Sequence, residues 1–165
     1  APSGDVAVVA GSGILRDHVE RRMGFEQVMR AECPHLNVLP WIEGEELAGT
    51  PLPTREDTAQ FAQGLVRKGV ARIIIVARGA DGSVLATKAG AWHSVGPPVP
   101  VVSKVGAGDS FVGAFTNALA GGAAPEECLR WGVAAASAAV MTEATRLCDF
   151  DNTSRILKDS TIAKL

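Results

Sequence analysis

The chain has 165 residues, of which 47% are hydrophobic and 21% are charged, and it carries a net charge of −2 at pH 7. This length and composition predict a single globular domain, residues 1–165, with a sizeable core. The low net charge argues against nucleic acid and against an anionic membrane surface as partners. The longest apolar run, residues 133–141, is too short to span a bilayer.

The cysteines are odd in number and widely spaced, which is typical of a reducing compartment and gives no metal-binding pattern. The first residues lack a basic region followed by an apolar one, so we expect no signal peptide and a cytoplasmic location. The histidines have no spacing that indicates a metal site or a catalytic triad, so structural or surface roles are expected. These residues are Cys33, Cys128 and Cys148, and His18, His35 and His93.

Strand and helix patterns alternate along the first third of the chain. The apolar run 5–10 predicts a buried strand, and residues 16–31 predict a helix with charges between its apolar positions. Residues 36–39 predict a second strand, which Pro40 stops. Strand, helix and strand in this order form a βαβ unit with parallel strands.

The middle of the chain contains another helix and three more strands. Thr54, followed by acidic residues, predicts a capped helix that runs to about Lys68. The strands are predicted at residues 71–77, 83–87 and 91–95, with glycine turns between them. An extended segment at residues 99–102 then leads into a further glycine turn.

Helices dominate the last third of the chain. They are predicted at residues 111–120, at 125–139, and from Asp151 or Asn152 to Lys158. The alanine-rich helix 125–139 either packs closely against a sheet or lines a flat ligand. The whole order predicts an α/β fold: three layers, with a mainly parallel, Rossmann-like sheet and antiparallel edge strands.

Two glycine turns, residues 78–82 and 106–109, follow predicted strands and would lie at the ligand-binding edge of a parallel sheet. The second turn opens a helix whose N–H groups suit a phosphate, and Asp109 lies at that anion site. Asp109 is either a helix cap or a general base beside a transferring phosphoryl group, and the spacing does not decide between them. The sequence contains neither a P-loop motif nor a G-x-G-x-x-G motif after the first strand.

From about residue 45 to the end, the chain resembles the PfkB/ribokinase family of sugar kinases, most closely its phosphofructokinase and tagatose-phosphate kinase branch. The resemblance is carried by the signature V-G-A-G-D-S-F-V-G-A-F at residues 105–115. Supporting matches are P-L-P-T at 51–54, G-A-D-G at 79–82, W-G-V-A-A-A-S-A-A at 131–139 and T-R-L-C at 145–148. The resemblance implies a ribokinase-like C-terminal half for residues 44–165.

The family resemblance implies a role for each matching residue. Asp109 matches the base that removes a proton from a sugar hydroxyl attacking ATP, and the turn Gly106, Ala107 and Gly108 matches the anion hole. ATP and Mg²⁺ are the implied cofactors, with K⁺ as an optional third. The residues matched to the nucleotide site are Gly79, Asp81, Gly82, Ser103, Val133 and Ser137. Those matched to cations are Glu46 for Mg²⁺, and Ser103, Val105, Ala139, Thr142, Ala144 and Arg146 for K⁺.

Three residues depart from the family pattern. Glu43 replaces the asparagine of the N-x-x-E magnesium motif, Lys104 replaces a threonine before the signature, and Ala77 replaces a serine or threonine. A complete kinase of this family is also about twice as long, and the part without a counterpart carries most sugar contacts and a β lid.

The first 43 residues resemble a βαβ segment of the lactose-repressor and periplasmic sugar-binding family, through V-A-V-V-A-G-S at residues 6–12 and E-R-R-M-G-F at 20–25. In that family the arginine matching Arg21 touches sugar hydroxyls, although a solvated helix charge explains Arg21 equally. The two resemblances meet near Glu43, which indicates a chimera, natural or engineered.

These observations give one leading interpretation and two alternatives. The leading one is a truncated or chimeric PfkB-type carbohydrate kinase domain that keeps the ATP-side site and has little or no catalysis alone. The first alternative is an active sugar or sugar-phosphate kinase completed by a partner chain, and the second is an engineered α/β folding scaffold with no ligand. The expected partners are a nucleotide, a sugar or sugar phosphate, and a second copy in a homodimer.

Overall fold

A computed structural model describes residues 4–6, 9–10, 36–38, 42–43, 48–143 and 146–165. Two short parallel strand pairs lie in the N-terminal part of the chain. β1 (Gly4–Val6) pairs with β3 (Leu36–Val38), and β2 (Val9–Ala10) pairs with β4 (Ile42–Glu43). Parallel strands are therefore confirmed where runs 5–10 and 36–39 predicted them. The predicted helix at residues 16–31 lies outside the described residues.

Helix α1 (Arg55–Arg67) begins where its capping signal predicts. The Asp57 amide donates to the Thr54 hydroxyl at 3.0 Å, and the Thr54 amide donates to the Asp57 carboxylate at 3.1 Å. This reciprocal pair satisfies two of the N–H groups that a helix start leaves without partners. Ala59, Ala62 and Val66 form the buried side of α1.

A sheet of four strands follows α1, with the strand order β5-β6-β7-β8. The strands are β5 (Ile73–Ala77), β6 (Ser83–Thr87), β7 (Gly90–Val95) and β8 (Thr161–Lys164). β8 runs antiparallel to β7, and the Ser94 hydroxyl donates to the Thr161 carbonyl at 2.8 Å. The sequence did not predict β8, because its residues are all exposed and only the distant β7 defines them as a strand.

Three helices complete the described chain: α2 (Ala107–Ala120), α3 (Pro125–Val140) and α4 (Phe150–Asp159). The Asp149 carboxylate caps α4 by accepting from the Asn152 amide at 2.8 Å. That backbone hydrogen bond, with a second from the Asn152 side chain, lowers the pKa of Asp149. The prediction placed the cap of this helix at Asp151 or Asn152, two or three residues late, because these residue types cap helices as well as Asp149 does.

Small side chains allow the helices to approach one another closely. Gly132 in α3 faces the Phe111 ring of α2, where an added Cβ atom would lie 2.9 Å from the ring carbons. On another side of α3, Ala134 and Ala138 pack against Ile156 of α4 in a buried cluster. The alanine-rich run therefore forms a closely packed helix, and these contacts are with helices rather than with the sheet that the sequence suggested. Its lining of a flat ligand stays a prediction.

Residues 99–102 do not form the strand that their valines predicted. Instead, the amides of Val102 and Ser103 donate to the Val140 carbonyl, at 2.8 and 3.2 Å, at the end of α3. The extended backbone is therefore held by a helix terminus rather than by a sheet ladder. This is a correction: the second glycine turn follows an irregular segment and not a strand.

The α/β class is confirmed, with parallel strand pairs, a four-stranded sheet with an antiparallel edge, and four helices in the described residues. The chain forms two compact units, Ala1–Ala77 with Ala86–Lys88, and Arg78–Leu85 with Ala89–Leu165. The division into segments 1–43 and 44–165 of a single domain stays a prediction. Within the described residues, no helix has the length and apolarity that crossing a membrane requires.

Candidate functional site

The turn at Gly106 is built for a glycine. Gly106 is the N-cap of α2 with φ 83° and ψ −7°, a left-handed conformation that side chains other than glycine rarely adopt. An added Cβ atom would also lie 3.1 Å from Cδ2 of Leu147. The Gly106 carbonyl accepts from the Ser110 amide at 2.9 Å, which is the first hydrogen bond of the helix.

The start of α2 is open to an anion. A glycine cap supplies no side-chain oxygen, and no side chain of a described residue caps this helix. The helix itself provides no carbonyl partner for the amides of Ala107 and Gly108. A Cβ atom added at Gly108 would meet no atom of the described residues within 4 Å, so there is open space beside the Gly108 Cα atom. These amides and the positive end of the helix dipole suit a phosphate group.

Asp109 is the third residue of α2 and lies in its exposed first turn. The helix thus places Asp109 two residues after Ala107 at its N-terminal end, while the predicted role of Asp109 at an anion site stays a prediction. A carboxylate one residue from the open amide of Gly108 can accept a proton from a group that approaches the same helix end.

The segment after α3 contacts the turn at Gly106 and the first turn of α2. The hydroxyl of Ser110, which is buried, accepts from the Cys148 amide at 3.3 Å, and Leu147 covers Gly106. The start of α2 is thus tied to residues 146–148. Sequence reasoning missed the role of Ser110, because its partner lies 38 residues away and no local pattern announces the contact.

The structure brings together three of the residues predicted for a cation. The Thr142 hydroxyl oxygen lies 2.9 Å from the Ala139 carbonyl oxygen and 2.7 Å from the Arg146 carbonyl oxygen, and its one proton is donated to one of them at a time. Carbonyl oxygens are the kind of ligand that a hard cation such as K⁺ takes in proteins. No cluster of three or more His, Cys, Asp or Glu side chains occurs among the described residues.

Two further predicted cation residues, Ser103 and Val105, lie in the segment before α2, which is bonded to the end of α3. Ser103 is half-buried, and its hydroxyl accepts from the exposed Val105 at 3.1 Å. Ser103 also donates through its amide to the carbonyl of Val140, next to Ala139. Glu46 and Ala144 lie outside the described residues, so their predicted roles stay predictions.

A second glycine turn, the loop of residues 78–82, lies between β5 and β6. Gly79–Asp81 form one turn of 3₁₀ helix, closed by bonds from the Arg78 amide to the Gly82 carbonyl (2.8 Å) and from the Gly82 amide to the Gly79 carbonyl (3.2 Å). Gly82 has φ 80° and ψ −140°, and an added Cβ atom would collide with the Ser94 carbonyl. The loop therefore presses against β7 at a point where only glycine fits.

His93 of β7 holds the same loop. The ring is 8% exposed, and its Nε2 atom lies 2.6 Å from the Asp81 carbonyl. Because a carbonyl only accepts, Nε2 carries the proton and donates it. The sequence predicted a structural or surface role for His93, but nothing in the sequence indicated that its partner would be the predicted nucleotide loop.

Val133 and Ser137, predicted to face a nucleotide base, share one side of α3 and lie against Gly96 after β7. An added Cβ atom at Gly96 would collide with the Ser137 hydroxyl and lie 3.7 Å from Cγ1 of Val133. Val133 is buried and Ser137 is half-buried. These predicted base-contacting residues therefore lie beside the loop that follows β7, and Ser137 keeps part of its surface open.

The model of the pfkB family of carbohydrate kinases matches residues 10–152 of this chain. The chain belongs to that family. The match includes the glycine turn at Gly106, the loop of residues 78–82 and helix α3, and every candidate residue that the structure describes lies within residues 10–152. The resemblance that the signature predicted is therefore confirmed, while the separate origin of residues 1–43 stays a prediction.

Individual relatives agree with the family match. The chain is 42% identical over 110 residues to the ATP-dependent 6-phosphofructokinase isozyme 2 of Escherichia coli K12. The aligned region covers 67% of this chain and 36% of that protein. The chain is 40% identical to E. coli phosphofructokinase-2 solved in complex with potassium, with a TM-score of 0.66 over 69% of this chain and 37% of that one. A ribokinase of Arabidopsis thaliana, solved with ribose and ATP, is 31% identical with a TM-score of 0.61 over 69% of this chain and 38% of the other.

The predicted ribokinase-like fold is thus confirmed. The chain nevertheless spans only 36% to 38% of the length of these three relatives.

Proposed function

We propose that this chain is the nucleotide side of an ATP-dependent sugar or sugar-phosphate kinase, and that alone it binds Mg-ATP but turns over slowly. The observation that carries the proposal is the open, glycine-capped start of α2 with Asp109 in its first turn. This feature lies inside the family match. One relative is named as ATP-dependent and another was solved with ATP, which supports the choice of nucleotide.

In the proposed reaction, the Asp109 carboxylate accepts the proton of a sugar hydroxyl. The hydroxyl oxygen forms a bond to the γ-phosphorus of ATP as the bond from that phosphorus to the bridging oxygen breaks, and ADP leaves with that oxygen. The amides of Ala107 and Gly108 donate to the phosphoryl oxygens, where negative charge is concentrated in the transition state. Gly106 shapes the turn so that both amides face one point.

The loop of residues 79–82 and helix α3 complete the proposed nucleotide site. Gly79, Asp81 and Gly82 lie beside the phosphates and ribose, Ser103 lies near the turn, and Val133 and Ser137 line the base. Bound Mg²⁺ neutralises phosphate charge, and Glu46 is its proposed protein ligand. The carbonyl oxygens of Ala139 and Arg146, which Thr142 holds close together, fit a K⁺ ion near residues 103–105.

We propose low activity for the chain alone because phosphoryl transfer requires both substrates to be positioned. The chain spans little more than a third of its relatives. The second candidate function is an active kinase in which a partner chain, or a second copy in a homodimer, supplies the remaining contacts. The observation behind this alternative is that the chain matches only 36% to 38% of the length of these relatives, so another chain could supply the contacts made by the rest. A cytoplasmic location belongs to the same proposal.

Calorimetric titration with Mg-ATP tests the nucleotide site. The wild-type chain should release or absorb heat with saturation below millimolar nucleotide. Asp109→Asn should change the affinity for Mg-ATP, whereas Asp151→Asn should not, since Asp151 is an exposed acid in the first turn of a different helix. No heat from the wild type at millimolar Mg-ATP would contradict the proposal and leave the ligand-free scaffold.

An assay of ADP release separates the two kinase proposals. Fructose 6-phosphate, fructose 1-phosphate and tagatose 6-phosphate are the acceptors, each with the chain alone at rising concentration. Activity that grows faster than concentration and disappears in Asp109→Asn would establish a self-completed kinase. The leading proposal predicts nucleotide binding with slow turnover that stays proportional to the concentration of the chain.

A further inference from the structure

The loop of residues 78–82 is held from one side by two consecutive residues of β7. His93 binds the Asp81 carbonyl through Nε2 at 2.6 Å, and the Ser94 carbonyl fills the space where Gly82 would carry a side chain. Within the loop, the amides of Arg78, Asp81 and Gly82 donate to carbonyl groups of the same loop. Among the described residues, the His93 ring provides a side-chain link between this loop and the sheet.

We infer that His93 is a positioning residue for the nucleotide: its Nε2–H fixes the Asp81 carbonyl and thereby sets the loop that faces ATP. That the bound ligand is a nucleotide rests on the proposed function, whereas the hydrogen bond from His93 to the loop does not. A ring that is 8% exposed has few alternative rotamers, so it supplies a directed donor at low entropic cost. The exposed Asp81 side chain stays on the solvent side of the loop.

Removing the donor leaves the Asp81 carbonyl without its side-chain partner and frees the tip of the loop. Loss of such a bond weakens a site that depends on it by about threefold to tenfold. We therefore expect His93→Phe, which keeps a ring but has no donor, to raise the dissociation constant of Mg-ATP by that factor. His93→Gln keeps an N–H donor and should recover the wild-type value to within about twofold.

Ser94→Ala is the matched control. The Ser94 hydroxyl is fully buried and donates to the Thr161 carbonyl of β8, so its loss removes a hydrogen bond on the same strand that does not reach the loop. Ser94→Ala keeps the backbone carbonyl that contacts Gly82, so it should lower the melting temperature but leave nucleotide affinity unchanged. Equal effects of His93→Phe and Ser94→Ala on affinity, or failure of His93→Gln to recover it, would overturn the inference.

Two measurements without nucleotide separate this inference from the proposed function. Hydrogen exchange should be faster at the amides of Asp81 and Gly82 in His93→Phe and unchanged there in Ser94→Ala. In the wild type, ¹⁵N spectra of the imidazole rings should show the Nε2–H tautomer for the signal that disappears in His93→Gln. An Nδ1–H tautomer, or unchanged exchange in His93→Phe, would refute the role of His93. Absence of ATP binding with these results intact would refute only the nucleotide site.

Discussion

Among the residues of the turn, Gly108 is the one whose substitution best distinguishes a phosphate-binding site from an ordinary helix start. It lies at the second position of α2, its φ is not in the left-handed region, and an added Cβ atom would meet no atom of the described residues within 4 Å. If the start of α2 binds no ligand, Gly108→Ala should only raise the stability of the fold. If a phosphate binds the amide of Gly108, the new methyl group occupies the space that the ligand needs.

Gly108→Ala should raise the stability of the fold and lower the affinity for Mg-ATP, and both changes should be large enough to measure. Replacing an exposed helical glycine by alanine stabilises a protein by about 0.5–1 kcal/mol, because the unfolded chain loses freedom. For a chain of this size such a gain raises the melting temperature by roughly 1–4 °C. Losing a hydrogen bond to a charged phosphate costs about 1.5–3 kcal/mol, which is about tenfold to hundredfold in affinity.

Gly113→Ala is the matched control for this prediction. Gly113 lies in the same helix, is exposed, and likewise has nothing within 4 Å of an added Cβ atom. Differential scanning calorimetry and Mg-ATP titration should show both variants stabilised, with affinity reduced only in Gly108→Ala. The reasoning is refuted if Gly108→Ala and Gly113→Ala bind Mg-ATP as tightly as the wild type.

Three further predictions concern stability. In chemical denaturation, Gly82→Ala should lower the free energy of unfolding by about 3 kcal/mol or more, because strained dihedrals cost about 1–3 kcal/mol and a collision with the backbone adds to them. Gly79→Ala, with φ 62° and open space around the new Cβ atom, should cost about 1 kcal/mol. The pKa of Asp149 is lowered on folding, so its capping contribution is present above the ordinary carboxyl pKa and is lost as the pH falls through the folded value. Asp149→Asn, which caps without titrating, should flatten the decrease in melting temperature below about pH 4. If residues 1–43 complete the sheet of the kinase part, unfolding should be a single transition, and two separate transitions would contradict a shared core.

The elements that the sequence predicted well are those with local signals. The capping box of Thr54 and Asp57 sets the start of α1 because both partners lie within one helical turn. The glycine pattern at Gly106 likewise predicted the turn before α2, since a left-handed cap favours one residue type. The helix itself starts at Ala107, four residues before the predicted residue 111.

The elements that the sequence missed depend on distant partners. Val102 has the side chain of a strand residue, but its amide donates to Val140 at the end of α3, so no ladder forms. β8 exists through its pairing with β7, about 70 residues earlier in the chain. The same holds for the site: the contact of Ser110 with Cys148 and that of His93 with Asp81 join residues that no local pattern connects.

Mapping of Mg-ATP binding by amide chemical shifts tests the central claim most directly. The account predicts saturable shift changes at the amides of residues 106–109 and 79–82, with smaller changes along α3 near Ser137, and loss of the first group in Gly108→Ala. Shift changes confined to other parts of the chain, or none at millimolar Mg-ATP, would contradict the claim that the start of α2 binds the phosphates of ATP.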